Sequence, residues 1–533
     1  MTFSSRADPV HSIATSVVRH RAGPSLEPRH HLKTILHRSC TVAAVFLACA
    51  TFLAGAPAAK RYLVTDYGAV ADGQTVNTKA LQALIDRCAG EGGGVIVVPA
   101  GTFLSGALYF KQGVNLVVEK DGVLKSTVTI ADFPPIYTRW EGIERYWTSA
   151  FLNFVGMKDV DVSGEGTVDG SGDAWAGFGQ RGRGGPGGPA TPGQGRRGGE
   201  AGQAQRGDVP PDGARGAGRG PAPAVASGPL PKPEDVFALP LPRTDRISIA
   251  PDPTKIPIIN AAGVALPRGG GSVTTPPRTI VFQNCTNVHI SGLSIKNEAR
   301  WGFVFIYSDN VVAEKLTARA EHYIPSSDGM DVDSCRHVLI TGCTFDCNDD
   351  CISLKSGKDE DGLRVNRPCE DIIIEKTHFA FGHGGAAMGS ETSGGIRNVE
   401  VRDCVADSGN LAPIRFKTQP SRGGVVENIT YRNLELTNTR QAVEFNLEWN
   451  MRINTAGDTR VLPTVRNVRL INVHGTVDSV GLIHGLTDSF IDGVTFENCS
   501  ITAQRGLTIE NARNVDLSGL KLDVKNGEAI TRR

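Results

Sequence analysis

Ser327-Asp328-Gly329 and Asn348-Asp349-Asp350-Cys351 set three aspartates 21 and 22 residues apart. That separation matches about one coil of a β-solenoid, in which equivalent positions of successive coils stack roughly 4.8 Å apart. Three carboxylates on one wall are the equipment for splitting a glycosidic bond: one acid protonates the leaving oxygen and bases activate water. Asp is also an ordinary turn residue, so the cluster takes its meaning from the elements that position it.

Those elements form an imperfect repeat. Thr286-Asn287-Val288-His289-Ile290-Ser291-Gly292 returns as Arg336-His337-Val338-Leu339-Ile340-Thr341-Gly342 and as Arg513-Asn514-Val515-Asp516-Leu517-Ser518-Gly519. Related marks stand at Asn310-Val311, Asp371-Ile372, Asn398-Val399, Asn428-Ile429 and Asn467-Val468, at steps of 23 to 39 residues between Asn287 and Asn467. Apolar residues alternate with polar ones, which gives short strands with one buried face. An Asn at the turn can pair with its copy in the next coil. Short strands at this period with variable insertions specify an all-β chain, a single-stranded right-handed parallel β-helix. Ahead of it, Leu81, Leu84, Ile85 and Cys88 mark one face of a helix that Asn77-Thr78 can cap and Gly90–Gly94 ends. Such a helix covers the open N-terminal end of the solenoid.

The chain has 533 residues and zero formal charge, with Gly abundant and aromatics scarce. Nothing in this balance points to a nucleic-acid partner. Residues 1–59 read as a leader and export signal: a basic stretch, an apolar run from Cys40 to Leu53, then Ala56-Pro57-Ala58-Ala59. The run is short for a membrane span. The expectation is a secreted or periplasmic, monomeric protein with no membrane segment in its mature form. The catalytic β-helix is assigned to 60–533. Within it, 176–277 lacks the repeat and reads as a disordered low-complexity insertion, dominated by Gly, Pro, Arg and Ala up to about Pro231. Of the eleven cysteines, Cys40 and Cys49 leave with the signal. Cys285, Cys343, Cys404 and Cys499 recur in one context, as small buried side chains at one coil position rather than as disulfides or zinc ligands.

Two further blocks follow the aspartates: Gly382-His383-Gly384 and Arg415-Phe416-Lys417. Strand alternation sends Arg415 and Lys417 outward and Phe416 inward, and two cations beside an acid trio suit a uronate carboxylate. In this order the four blocks resemble the signature of the polygalacturonase family, glycoside hydrolase family 28. The opening Asp66-Tyr67-Gly68-Ala69 is similar to that of many pectin-degrading β-helix proteins. The resemblance implies Asp349 as general acid, Asp328 and Asp350 as the water-orienting bases, His383 in support of the acid, and Arg415 and Lys417 on the substrate. It implies a pectic polysaccharide or oligogalacturonate as partner, inversion, and neither cofactor nor metal. A carboxyl crowded by two others is expected to hold its proton longer.

Ser326-Ser327-Asp328 stands where the family has Asn-Thr-Asp, so an Asn partner is lost. The long Asp350–His383 stretch and Gly389-Ser390-Glu391 resemble the bacterial exo-acting branch. The family's late tyrosine has no evident counterpart, and Glu448-Trp449 stand near its place. The run Tyr137, Trp140, Tyr146, Trp147 serves either as a sugar platform or as loop packing. Rival readings are a rhamnogalacturonan or xylogalacturonan hydrolase, a Ca²⁺-dependent pectate lyase, and a pectin-binding β-helix without catalysis.

Overall fold

The computed structural model describes residues 59–176, 243–250, 276–409, 411–449 and 461–533. The expected leader and most of the 176–277 insertion therefore lie outside the described residues. Short strands follow one another around a coil and pair in parallel with their copies in the next coil, so the body is a parallel β-helix. Along the face that matters most, Ile280–Gln283, Phe303–Ile306, Met330–Asp333, Ile352–Lys355, Gly384–Gly389 and Ala412–Lys417 stack in register. Among the described residues, no helix is long and apolar enough to cross a membrane.

Strand alternation sets the core. Phe154, Phe282 and Phe305 point inward from successive coils and stack at 4.8 and 5.1 Å. Phe416 continues the inner row and meets Phe445 at 4.3 Å. At the turns, Asn287, Asn310, Asn398, Asn428 and Asn467 adopt φ between 54° and 58°, a region that Asn tolerates better than most residues. Their amides bond across coils, Asn310 to Asn287 at 2.8 Å and Asn467 to Asn428 at 2.6 Å. His337 occupies the same conformation, at φ 54°, and bonds Asp309 at 2.8 Å.

The helix Thr78–Gly90 buries Leu81, Leu84, Ile85 and Cys88 as expected and packs on the first coils. Asn77 does not cap it. Its carboxamide bonds instead to the backbone of Val70, at 2.7 and 3.0 Å. The preceding loop claims this side chain before the helix can.

All nine described cysteines are buried and free. The four that share one sequence context occupy two stacks rather than one. Cys343, Cys404 and Cys499 share a row. Cys285 belongs to another, with Ser308, Cys335 and Cys369.

One pair of strands departs from the parallel pattern. Ile136–Trp140 and Ile143–Trp147 form an antiparallel hairpin. Its two-residue tip, Glu141-Gly142, has φ of 44° and 77°, as a primed turn requires. The hairpin is fixed to the solenoid by the buried Arg139–Asp333 pair at 3.0 Å and by Thr138 on Gln283 at 2.6 Å. The described part of the insertion, 243–250, returns to the body here. Ala250 N–H donates to the Pro135 carbonyl at 2.9 Å and Gln283 donates to the Thr244 carbonyl at 2.7 Å.

Candidate active site

The coil register brings the three aspartates together. Gly329 N–H donates to the Asp350 carbonyl at 3.0 Å, and Asp349 N–H to the Ser327 carbonyl at 3.2 Å. One oxygen from each of Asp328, Asp349 and Asp350 lies within 4.8 Å of the others. This is tighter than the 6.5–9.5 Å expected between acid and base in an inverting glycosidase, because parallel stacking sets the spacing.

The three carboxyls have different surroundings. Asp350 is fully buried and holds Arg415 Nη1 at 2.9 Å and Lys417 Nζ at 2.5 Å. Burial opposes its charge, but Lys417 and then Arg415 hold the carboxyl well below the usual range. Gly384 makes room for this contact, since a Cβ there would stand 2.7 Å from Asp350 Oδ1 and 3.0 Å from Arg415 Cδ. Asp328 is nearly buried, and burial first, then Asp331 and Asp349, push its carboxyl far up. Asp331 is buried beside it, and burial raises its carboxyl to about 8 against the pull of Lys355.

Asp349 is the most open of the trio, with 28% of its side chain exposed. Its carboxyl does not sit above the ordinary range, as crowding alone predicts. Burial raises it, but the His383 hydrogen bond and Lys417 together bring it below. His383 Nδ1 stands 3.4 Å from Asp349 Oδ1, and the His383 N–H donates to the Asp349 carbonyl at 2.8 Å. The structure thus brings every sequence-predicted site residue to one place. It also shows that Arg415 and Lys417 already have a partner in Asp350.

A pocket of about 620 Å³ opens over these groups, within the range of ligand-sized sites. Asp328, Asp349, His383, Arg415 and Lys417 line it, as do residues that the sequence did not single out as site residues: Arg300, Trp301 and Glu444. Glu444 follows Arg415 in register and forms an ion pair with it at 2.9 Å, so a repeat-aligned reading had the signal for it. Lys355 and Glu391 also line the pocket and pair at 3.1 Å. Trp449 lies over Arg415 at 4.7 Å and over Lys417 at 5.8 Å, a cation–π arrangement near the place of the missing tyrosine.

The hairpin aromatics pack the loop. Trp140 stacks between Trp147 at 5.2 Å and Trp301 at 5.0 Å. Val281, Val304 and Ile306 alternate with the inward phenylalanines, yet they too are buried, in a second cluster with Ala150, Trp301 and Tyr307. Tyr307 bonds Glu144 of the hairpin at 2.8 Å. On the side of the earlier coils, the groove is therefore filled. The loop after Ile352–Lys355 joins this wall: its helix Asp359–Val365 supplies Arg364 to Glu144 at 3.0 Å.

The trio lies close enough to be read as a cation site. Its chemistry fits a metal poorly, because both Asp350 oxygens are engaged by buried side-chain cations. A Ca²⁺ ion would face that charge and lack the 6–8 oxygen ligands it takes.

Comparison with known proteins agrees with this geometry. The description "Glycosyl hydrolases family 28" matches residues 258–520, and "Rhamnogalacturonase A/epimerase, pectate lyase-like" matches 63–127. A probable polygalacturonase of Vitis vinifera is 24% identical over 82% of this chain and 73% of its own length. The exo-poly-alpha-D-galacturonosidase of Dickeya chrysanthemi is 25% identical over 72% of this chain and 57% of its own length. The chain thus spans little more than half of that second relative. Among solved structures, an exopolygalacturonase from Thermotoga maritima is similar in fold, with TM-score 0.63 and 24% identity, over 87% of this chain and 92% of that one.

Proposed function

Since the chain belongs to glycosyl hydrolases family 28, we propose that it is an exported enzyme that hydrolyses the α-1,4-galacturonosidic bonds of polygalacturonate from a chain end, with inversion. The observation that carries this reading is the Asp328–Asp349–Asp350 cluster, of which Asp328 and Asp349 line a pocket shared with Arg300, Arg415 and Lys417.

Asp349 is the general acid: it is the most open of the trio, lines the pocket, and has His383 to hold its orientation. Asp350, held ionised by Lys417 and Arg415, takes the proton of the water, and Asp328 helps to orient it. The close spacing by itself matches a retaining enzyme, but neither partner of Asp349 suits a covalent step. Asp350 is fully buried and bound by two cations, so it cannot reach an anomeric carbon. Asp328 favours its protonated form in the empty groove, which makes it a poor nucleophile. Attack by water and inversion follow.

The filled groove beside Trp301 supports action at a chain end, because a polymer running past the trio would meet the hairpin. Incubation with polygalacturonate tests the whole reading. Reducing ends should appear with short products from the outset, survive a chelator, and show the inverted anomer by proton NMR. New ultraviolet absorbance, lost with chelator and restored by Ca²⁺, would move the protein to the lyase reading. Binding of oligogalacturonate with no cleavage would leave a non-catalytic β-helix.

A further inference from the structure

The pocket's cations are mostly committed to the protein's own acids. Lys355 pairs with Glu391 at 3.1 Å and Asp331 at 3.5 Å. Arg415 holds Asp350 and Glu444, and Lys417 holds Asp350. Arg440 pairs with Glu444 at 3.2 Å. Arg300 lines the same pocket, is only partly exposed, and has no hydrogen-bond or ion-pair partner among the described residues. A cation facing a pocket without an anion is a site for one brought by the ligand.

Its position is specific. Strand Phe303–Ile306 pairs with Met330–Asp333, and Gly302 N–H donates to the Asp328 carbonyl at 2.9 Å. Arg300 therefore sits one coil before Asp328, at the end of the groove that the hairpin fills. The next residue, Trp301, is held between Trp140 at 5.0 Å and Lys355 Nζ at 5.1 Å. That packing fixes the backbone from which Arg300 projects. The hairpin-tip Glu141 lines the same pocket, with Arg145 and Lys358 as its charged neighbours. Its charge disfavours an anion placed elsewhere near the tip.

We propose that Arg300 forms a chain-end subsite that binds the carboxylate of the terminal uronate between the hairpin wall and the aspartate trio. The proposal rests on the chain-end reading above and names the residue that would recognise the end. A neutral terminal sugar gives Arg300 no partner, so the subsite selects for a uronic acid at that position.

The test is binding, so that it does not depend on turnover. Trigalacturonate is titrated calorimetrically into the Asp349→Asn protein and into the same protein carrying Arg300→Gln. The added substitution should weaken binding about ten- to hundredfold, the effect of losing one charge-assisted hydrogen bond. Fully methyl-esterified trigalacturonate should bind both proteins equally, since the ester removes the same contact. Glu141→Gln in the Asp349→Asn background should tighten binding of the free acid. Arg300 is partly exposed and unpaired, so the melting temperature should not move. Affinities for the free acid within about twofold with and without Arg300 would overturn the subsite. Failure of the wild-type protein to cleave galacturonan would instead overturn the proposed activity and leave this result standing.

Discussion

Replacing Lys417 with Ala separates two roles for one cation. In the sequence, Lys417 reads as part of a substrate clamp. In the structure its Nζ lies 2.5 Å from Asp350 Oδ2, in a site where Asp350 is fully buried. After the opposing effect of burial, Lys417 is the largest influence that keeps Asp350 ionised. Arg415 remains at 2.9 Å in the variant, so one of two charged contacts is lost. Such a contact is worth about 1.5–3 kcal/mol, which corresponds to roughly 1–2 pKa units at about 1.4 kcal/mol per unit. The Asp350 carboxyl is depressed in the folded protein, so Lys417→Ala raises it.

On the proposed mechanism Asp350 acts as a base and must be ionised. The acid limb of kcat/KM should therefore move toward neutral pH by about 1–2 units. Stability follows the same sign. A depressed carboxyl stabilises the fold above its unfolded pKa and loses that contribution as pH falls through the folded one. The variant should accordingly unfold in acid at a higher pH than the wild type. The assay is reducing-end release across the acidic range for wild type, Lys417→Ala and Lys417→Met. A fall in rate that is uniform in pH, with no shift of the acid limb, would refute the reasoning and return Lys417 to direct contact with substrate.

Asp349→Asn should retain oligogalacturonate binding and lose turnover by roughly 10²–10⁴-fold, read by calorimetry beside reducing-end release; near-normal turnover in the folded variant removes Asp349 from the acid role. Trp140→Ala removes the middle ring of the Trp147–Trp140–Trp301 stack. It should cost about 3–5 kcal/mol in a denaturant titration and, where the protein still folds, lengthen the earliest products; an unchanged product profile would show that the hairpin does not close the groove. Substrate binding near neutral pH should take up a proton, because an incoming uronate raises the carboxyls around it. Binding heats measured in buffers of different protonation enthalpy give that number, and zero uptake contradicts it.

The repeat was legible because a solenoid writes its geometry locally. An Asn at φ near 56° and a Val after it are set by one turn and one strand, so each coil announces itself. The trio was legible for the same reason, since one coil length carries Asp328 onto Asp350. Phe416 was assignable to the core by alternation alone. Contacts that skip coils or cross insertions were not readable. Nothing between residues 136 and 147 indicates that Arg139 will pair with Asp333, or that Trp140 will stack on Trp301. Cys285 and Cys343 fall in different rows because Cys285 precedes strand Thr286–Ser291 whereas Cys343 precedes Thr344–Asp346, the later strand of its coil, which residue context alone does not reveal. Asn77 had the right type and place for a cap, yet the Val70 backbone was a better partner.

The Asp349 expectation failed for a reason that bears on catalysis. Like-charge crowding raises a carboxyl only when nothing compensates it, and here compensation arrives from later coils as His383 and Lys417. Crowding acts instead on Asp328, which has burial and three carboxyls around it and no cation within bonding distance among the described residues. The trio therefore behaves as one coupled acid, with its proton favoured on Asp328 while the groove is empty. A bound uronate changes that balance. On the proposed reading it brings negative charge beside Asp349 and shields it from solvent, and both changes disfavour the ionised form. Both effects raise the Asp349 carboxyl, the member most open to the pocket, while Asp350 stays ionised under Lys417 and Arg415. On the proposed mechanism, the substrate thus arms Asp349 as the acid. A neutral chain of the same shape would shield Asp349 from solvent without supplying the charge, so the cation-lined pocket and the acid chemistry select for the same sugar.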